Sequence, residues 1–403
     1  MAGSKGQGTG VVVLKPGKEK PVVQRHPWVF SGAVARVEGK PADGDVVLVA
    51  DSRGQPLARG GYNSRSQICV RIWTWDPDET VDAAFFAERL RKSWERRESL
   101  RVANHTTAYR LVNAESDLLP GLVVDRYGDF VAVQFLTLAA ERWRNDIVDA
   151  LVQLLHPSGI YERSDVDVRR KEGLQPAAGL IWGKEPPDTV EILEHGRKFL
   201  VDIKRGQKTG FYLDQRENRR RVAQYATDRD MLNCFCYTGG FSVYAGAAGA
   251  LRIVNVDTSR DALALARRNM ALNGLAVADD EYVEGDVFQV LRAYRDQGRT
   301  FDLVVLDPPK FAVSQAQVQA ATRGYKDINL LAMQILRPGG ILATFSCSGL
   351  VSPDLFQKVV FGASVDAGRD VQILEKLTQA SDHPILLSFP ESEYLKGFIC
   401  RVI

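Results

Sequence analysis

From Asp230 almost to the C-terminus, apolar runs of strand length alternate with amphipathic segments, and this alternation constrains the fold more than any other feature. Met231–Phe235, Arg252–Val256, Phe301–Leu306 and Gly340–Phe345 read as strands. Segments 240–249, 259–273 and 322–336 carry helical spacing. Such alternation implies βαβ units and a mostly parallel sheet, so the predicted fold class for this part is α/β.

The upstream half has a different rhythm. Val11–Leu14, Val46–Val49 and Ile68–Ile72 are short β runs, separated by Lys15-Pro16-Gly17, Asp43-Gly44 and Arg59-Gly60-Gly61. Short strands with glycine punctuation predict a small barrel-like module. Asp76–Glu79 marks a boundary and a helix start. Residues 81–104 have a helical pattern rich in Arg89, Arg91, Lys92, Arg96, Arg97 and Arg101, which reads either as a solvated face or as a surface for RNA phosphates. Strands at Arg110–Asn113, Leu122–Asp125, Phe130–Phe135 and Gly159–Glu162, with a helix over 139–155, predict a central α+β domain. Lys184–Asp188 has the composition of a connection. Glu191–Glu194 and Lys198–Ile203 flank a short glycine-containing loop and read as a hairpin. The expected division is therefore 1–78, 79–188 and 189–403, with the first ten residues frayed.

Some function classes are disfavoured. No apolar stretch has the length of a membrane span, and the N-terminus lacks the apolar core of a secretory signal. A net charge of +2 argues against nucleic-acid binding by bulk positive field alone, while leaving room for local basic patches. The five cysteines form no CxxC pair, so no metal site is expected, and the composition suits a reducing cytoplasm.

In an open α/β sheet, ligands bind beyond the carboxyl ends of the strands. After the first strand comes Phe235-Cys236-Tyr237-Thr238-Gly239-Gly240, where two glycines permit close backbone approach. The spacing is not GxGxxG, so a nucleoside without a pyrophosphate fits better. Asp257 ends the second strand, about 20 residues on, where a carboxylate can accept from ribose hydroxyls; Ser259 then caps a helix. Asp286 and Val287 follow a further strand region between Arg252–Val256 and Phe301–Leu306, where a polar side chain and an amide can read an adenine edge. Asp307-Pro308-Pro309-Lys310 follows Phe301–Leu306, held rigid by its prolines. Each piece alone is an ordinary turn or cap. Their order together resembles class I S-adenosylmethionine-dependent methyltransferases, whose corresponding loops line the cofactor.

The strand Ile341–Phe345 runs into Ser346-Cys347-Ser348-Gly349, which places a thiol at a strand end beside the Asp307 loop. Cys347 is either a structural thiol or a nucleophile. As a nucleophile it would add to C6 of a pyrimidine and make C5 electron-rich enough to accept a methyl group, with Asp307 sharing a proton with the ring. The target base must then be unpaired or flipped out. Lys310 and Lys326 are candidates for favouring the thiolate.

The run Gln207–Arg219, together with Leu306–Phe311, Arg323–Asn329 and Phe345–Gly349, resembles the ribosomal RNA large subunit methyltransferase I family. His26–Gly32 and Gly60–Asn63 are similar to its N-terminal PUA domain, a small RNA-binding pseudo-barrel. The resemblance implies a C-terminal Rossmann-like methyltransferase sheet preceded by a PUA domain and a central α+β domain. It implies S-adenosylmethionine as cofactor, C5 of a cytosine in 23S rRNA as target, and free rRNA or a large-subunit assembly particle as partner. Homodimerisation stays open. By the same resemblance, Lys208, Thr209, Phe211, Asp214 and Arg216 join Phe235, Tyr237, Thr238, Gly239, Gly240, Asp257, Ser259, Asp286, Val287 and Asp307 around the cofactor. Cys347, Asp307 and Lys310 would carry the chemistry, and Arg96, Arg97 and Lys326 would meet RNA. Many RNA cytosine-C5 enzymes carry a second cysteine where this chain has Asp307–Lys310. Uracil-C5 or guanine methylation, and a non-catalytic assembly factor, are the competing readings.

Overall fold

The computed structural model describes residues 10–100, 102–275, 278 and 281–403. Residues 1–9 of the segment expected to fray, and Arg101, lie outside the described residues. Gly10 is described, and it is buried, its carbonyl accepting the Leu48 amide at 3.0 Å. The chain forms two compact units. The first comprises the chain through Ile192 with Val201–Tyr212 and Ser381–Ser392. The second comprises Leu193–Leu200, Leu213–Ala380 and Glu393–Ile403.

The first unit opens with β1 Val11–Leu14, α1 Lys20–Val23, β2 Trp28–Phe30, β3 Val34–Glu38, β4 Val46–Ala50, β5 Pro56–Tyr62 and β6 Ile68–Thr74. The strands form one sheet in the order β2-β6-β5-β4-β1-β3, antiparallel except for the β1–β4 pair. Val12, Leu14, Val47, Val49, Val70 and Ile72 fill its core. Strand β5 does not read as a strand in sequence because it contains Pro56, Gly60 and Gly61. The packing explains the glycine: a Cβ on Gly60 would lie 2.4 Å from the Arg71 carbonyl oxygen.

The central region adds α2 Ala83–Ser99, β7 Ala108–Asn113, β8 Leu122–Tyr127, β9 Phe130–Phe135, α3 Leu138–Arg142, α4 Arg144–Leu155, β10 Gly159–Ser164, α5 Val168–Lys171 and β11 Ala177–Gly183. The sheet order is β11-β10-β9-β8-β7. Only β9 and β10 are parallel, and α3 and α4 lie in the crossover that such a pair needs. The single helix expected over 139–155 is broken at Trp143, whose indole is buried against Phe86 with ring centroids 5.1 Å apart. Helix α2 ends at Ser99, short of the expected 104.

Hairpin strands β12 Val190–Glu194 and β13 Arg197–Val201 straddle the division between the units. The second unit continues with α6 Arg216–Ala223, β14 Asp230–Cys234, α7 Gly240–Ala247, β15 Arg252–Asp257, α8 Arg260–Leu272, β16 Tyr282–Glu284, α9 Val287–Asp296, β17 Phe301–Leu306, α10 Val318–Ile335, β18 Leu336–Ser346, α11 Pro353–Ala367, β19 Val371–Thr378 and β20 Lys396–Val402. Its seven strands run β16-β15-β14-β17-β18-β20-β19, with β14 to β18 parallel and β20 antiparallel to both neighbours. The central strands are mostly apolar, as helices on both faces require, and the buried Asn233 of β14 and Asn255 of β15 are joined through Ser242 Oγ. The order reverses between β14 and β17, and the crevice at their carboxyl ends is where such a sheet binds ligands.

Candidate active site

The loop after β14 is backbone under strain. Phe235 and Tyr237 have φ of +58° and +47°, and Gly239 has +77°. Specific bonds hold it: the Cys236 amide donates to Val256 O at 3.0 Å, and the Tyr237 amide to Asp257 Oδ2 at 2.9 Å. The two glycines are there for space. A Cβ on Gly239 would stand 3.0 Å from the Ala266 Cβ, and one on Gly240 would stand 2.9 Å from the Arg219 Cδ. Arg219 is itself fixed by a buried two-point pair with Glu194 at 2.8 and 2.7 Å.

Asp257 accepts from two amides, Tyr237 on one oxygen and Ser259 on the other, each at 2.9 Å. An ionised carboxylate has about four acceptor positions, so two stay available for ribose hydroxyls. The Thr238 hydroxyl, in the same loop, is buried and has no partner among the described residues. An orphaned donor beside a half-used carboxylate fits a nucleoside cofactor. Phe235, Phe288 and Phe311 supply an aromatic surface, with centroid separations of 6.5 Å for Phe235–Phe311 and 6.0 Å for Phe288–Phe311.

Asp307 follows β17. Its Oδ1 accepts from Gln215 Nε2 at 2.9 Å, and Gln215 Oε1 in turn accepts from Asn218 at 2.6 Å. Cys347 follows β18, with its Sγ 3.7 Å from the Pro308 carbonyl oxygen, so the thiol lies against the Asp307 loop as the sequence predicts. Cys347 is partly exposed, whereas Cys69, Cys234, Cys236 and Cys400 are buried. Burial pushes the Cys69 thiol up to about 11 and Cys400 to about 12, leaving both inert at neutral pH. On either side of Cys347, Ser346 and Ser348 are fully buried; Ser348 Oγ accepts the Ala312 amide and bonds to the Tyr325 hydroxyl at 3.1 Å. Lys310 is exposed on its loop.

The other candidates divide. Lys208, Thr209 and Phe211 belong to the first unit. The Thr209 hydroxyl donates to Asp125 at 2.6 Å and bonds to the Tyr127 hydroxyl, while Lys208 lies over the Tyr212 ring. In the second unit, buried Asp214 accepts from the Tyr394 hydroxyl at 2.7 Å, and buried Arg216 pairs with Glu217 at 3.3 Å. Ser259 and Asp286 cap α8 and α9, and the Val287 side chain is in the core, leaving its amide as the group it can offer a ligand. Arg97 requires a correction. It is 2% exposed and makes a two-point pair with Asp117 at 2.6 and 2.7 Å, so it does not face RNA. Its helix is also less basic than the count of arginines implied, since Arg91 and Lys92 pair with Glu88 on the same helix. Arg96 remains partly exposed, and Lys326 pairs with Asp366 at 2.7 Å.

Three residues near the site were missed. Gln215 lies inside the Gln207–Arg219 run but was not singled out there, and Tyr394 gave no signal as an isolated polar residue. Lys396 did: it interrupts the apolar run from Leu395 to Cys400, and a lone lysine in a buried strand is rare.

Comparison with known proteins agrees with this architecture. Residues 166–386 match the S-adenosylmethionine-dependent methyltransferase family, and residues 12–75 match the PUA-like domain. Ribosomal RNA large subunit methyltransferase I of Cronobacter sakazakii is 53% identical over 392 residues, covering 97% of this chain and 99% of that protein. Its counterpart in Klebsiella pneumoniae is 51% identical, covering 97% and 98%. Among solved structures, a protein described as a SAM-dependent methyltransferase from Streptococcus mutans shares the fold with a TM-score of 0.84 at 24% identity, over 97% of this chain and 100% of that one. The chain belongs to the ribosomal RNA large subunit methyltransferase I family of S-adenosylmethionine-dependent methyltransferases.

Proposed function

We propose that the protein methylates C5 of a cytosine in 23S rRNA through a covalent bond between Cys347 and C6 of the base. The observation that carries this reading is the position of Cys347: the one partly exposed thiol of five, lying against the Asp307 loop at the carboxyl ends of β17 and β18. Bound S-adenosylmethionine supplies an electrophilic methyl group on a sulfonium. Asp257 holds the ribose with its spare acceptor positions, and Thr238 offers its hydroxyl. The Cys347 thiolate adds to C6 and places electron density on C5. Asp307, oriented by Gln215, accepts from the exocyclic amine and shares a proton with N3. Once C5 has taken the methyl group, its proton passes to water, the C–H electron pair re-forms the C5–C6 double bond, and the S–C6 bond breaks with its electrons returning to the thiolate.

We assign the RNA-facing role to the N-terminal PUA-like module, with Arg96 and Lys326 as further contacts, and keep the three-part division 1–78, 79–188 and 189–403. The finer parts of the reading are an rRNA or assembly-particle substrate and a cytoplasmic site of action; homodimerisation stays open. No helix among the described residues is long and apolar enough to cross a membrane.

RNA carrying 5-fluorocytidine tests the chemistry, because fluorine at C5 cannot leave as a proton does and the adduct accumulates. The wild-type protein should form a denaturant-stable RNA adduct, and Cys347→Ala should form none while losing turnover by about three orders of magnitude or more. Methyl transfer that survives in Cys347→Ala would favour a guanine target with a merely structural thiol.

A further inference from the structure

We infer that Lys396 is the positioning residue that activates Cys347, taking up the thiol proton and holding the resulting thiolate against its own ammonium. The inference rests on the reading of Cys347 as nucleophile. Lys396 opens β20 and pairs in register with Ser346, the residue before Cys347. It is 4% exposed. Its Nζ donates to Ser348 O at 2.8 Å and Val351 O at 2.7 Å, so the side chain ties together the two ends of the loop that follows Cys347. No carboxylate forms an ion pair with it among the described residues, although a buried ammonium ordinarily has one.

The stoichiometry of these bonds is informative. A neutral amine has two N–H groups and one lone pair. The two carbonyls take the two N–H groups, and the remaining position holds either the lone pair or one more proton. Proton transfer therefore breaks the Cys347 S–H bond, leaves the electron pair on sulfur and forms the third N–H bond, without disturbing the other two. Desolvation lowers Lys396 to about 8, and the Cys347 charge opposes that shift. The ionisable groups around it are Cys347 after β18, Lys310 after β17, Glu393 ahead of β20 and Tyr325 on α10, whose hydroxyl bonds to Ser348. Lys310 disfavours the ammonium and Glu393 favours it. A base that changes protonation at about 8, close to the ordinary thiol value, can exchange a proton with a thiol that must be thiolate for attack and is regenerated each cycle.

The test is alkylation of the full-length protein by iodoacetamide across about pH 6 to 10, read by mass spectrometry of the Cys347 peptide, without cofactor or RNA. Wild-type Cys347 should react with a midpoint below the ordinary thiol value of about 8.5. Lys396→Met should react about tenfold more slowly or worse at pH 7 and converge with wild type near pH 10; Lys396→Arg keeps a charge that can hold the thiolate but cannot take up its proton, so it should retain a lowered midpoint. A wild-type midpoint at or above about 8.5 overturns the inference without any variant. So does a Lys396→Met rate that is unchanged at pH 7, or one that is lowered equally at every pH, which would mean the loop had moved. Methyl transfer by Cys347→Ala would instead sink the nucleophile reading and leave the alkylation result standing.

Discussion

Arg97 in the first unit and Lys396 in the second are both basic side chains withdrawn from water, yet their surroundings assign them opposite roles. Arg97 faces a carboxylate whose capacity is used up. Asp117 accepts from both Arg97 nitrogens, from the Asn113 amide at 2.6 Å and from Arg96 Nη1 at 3.5 Å, and Arg97 also donates to Arg110 O and Asp382 O. Lys396 faces two neutral carbonyls and keeps one position uncommitted. A buried ion matched by a counter-ion holds structure together. One with a bond to spare can take part in chemistry.

The largest expected difference is in stability. Arg97→Met strands the Asp117 carboxylate and should cost about 3–5 kcal/mol in urea unfolding, because one partner of a buried pair is removed while the other charge remains. Lys396→Met removes a buried charge along with its two hydrogen bonds, and these effects oppose each other, so its unfolding free energy should change by about 1 kcal/mol or less. Equal losses in the two variants would erase the distinction.

The same contrast separates what could be read in the sequence from what could not. Strand ends and loops were readable: Asp257, Asp307 and Cys347 each stand at the carboxyl end of a strand where alternation placed them. Arg97 was misread because helical periodicity gives a face but not its partner, and Asp117 lies twenty residues further along the chain. Strands β19 and β20 escaped because their exposed and buried residues do not alternate cleanly with helices, and β20 runs antiparallel in an otherwise parallel neighbourhood. With β20 went Lys396. Arg216 and Thr209 were carried in by motif resemblance, yet Thr209 spends its hydroxyl on Asp125 and Tyr127.

Spare capacity also distinguishes two carboxylates. Asp117 has none, whereas among the described residues Asp257 accepts only the Tyr237 and Ser259 amides. Asp257→Ala should therefore weaken S-adenosylmethionine binding by about 1–3 kcal/mol in a calorimetric titration, through loss of ribose hydrogen bonds. Cys347→Ala should leave that affinity within a few fold. Equal weakening in both would show that the two residues do not divide cofactor and base between them.

Lys396 also predicts a pH effect of known sign. Below about 8 its amine is charged in both folded and unfolded chains. Between about 8 and its ordinary 10.5 the unfolded chain binds a proton that the folded chain lacks. Stability from this group therefore rises with pH across that window. Relative to Lys396→Met, the wild type should gain on the order of 1 kcal/mol between pH 7 and 10. A difference that stays flat, or falls, would mean that the lysine is not desolvated as its two carbonyl partners require.

The smallest effect concerns Arg96, next to Arg97 in the chain and opposite in exposure. Its side chain is 45% exposed, and its nearest acid is Asp117 at 3.5 Å, an oxygen that Arg97 already occupies. A bond this long and shared leaves the half-exposed Arg96 guanidinium with donors facing solvent, which is the condition for meeting a phosphate. Arg96→Gln should lower the slope of log affinity against log salt by about 0.7 to 0.9 for RNA, the value of one phosphate contact, with little change in unfolding midpoint. An unchanged slope would make α2 a solvated face throughout, and the RNA-facing charge would then have to come from residues outside this helix.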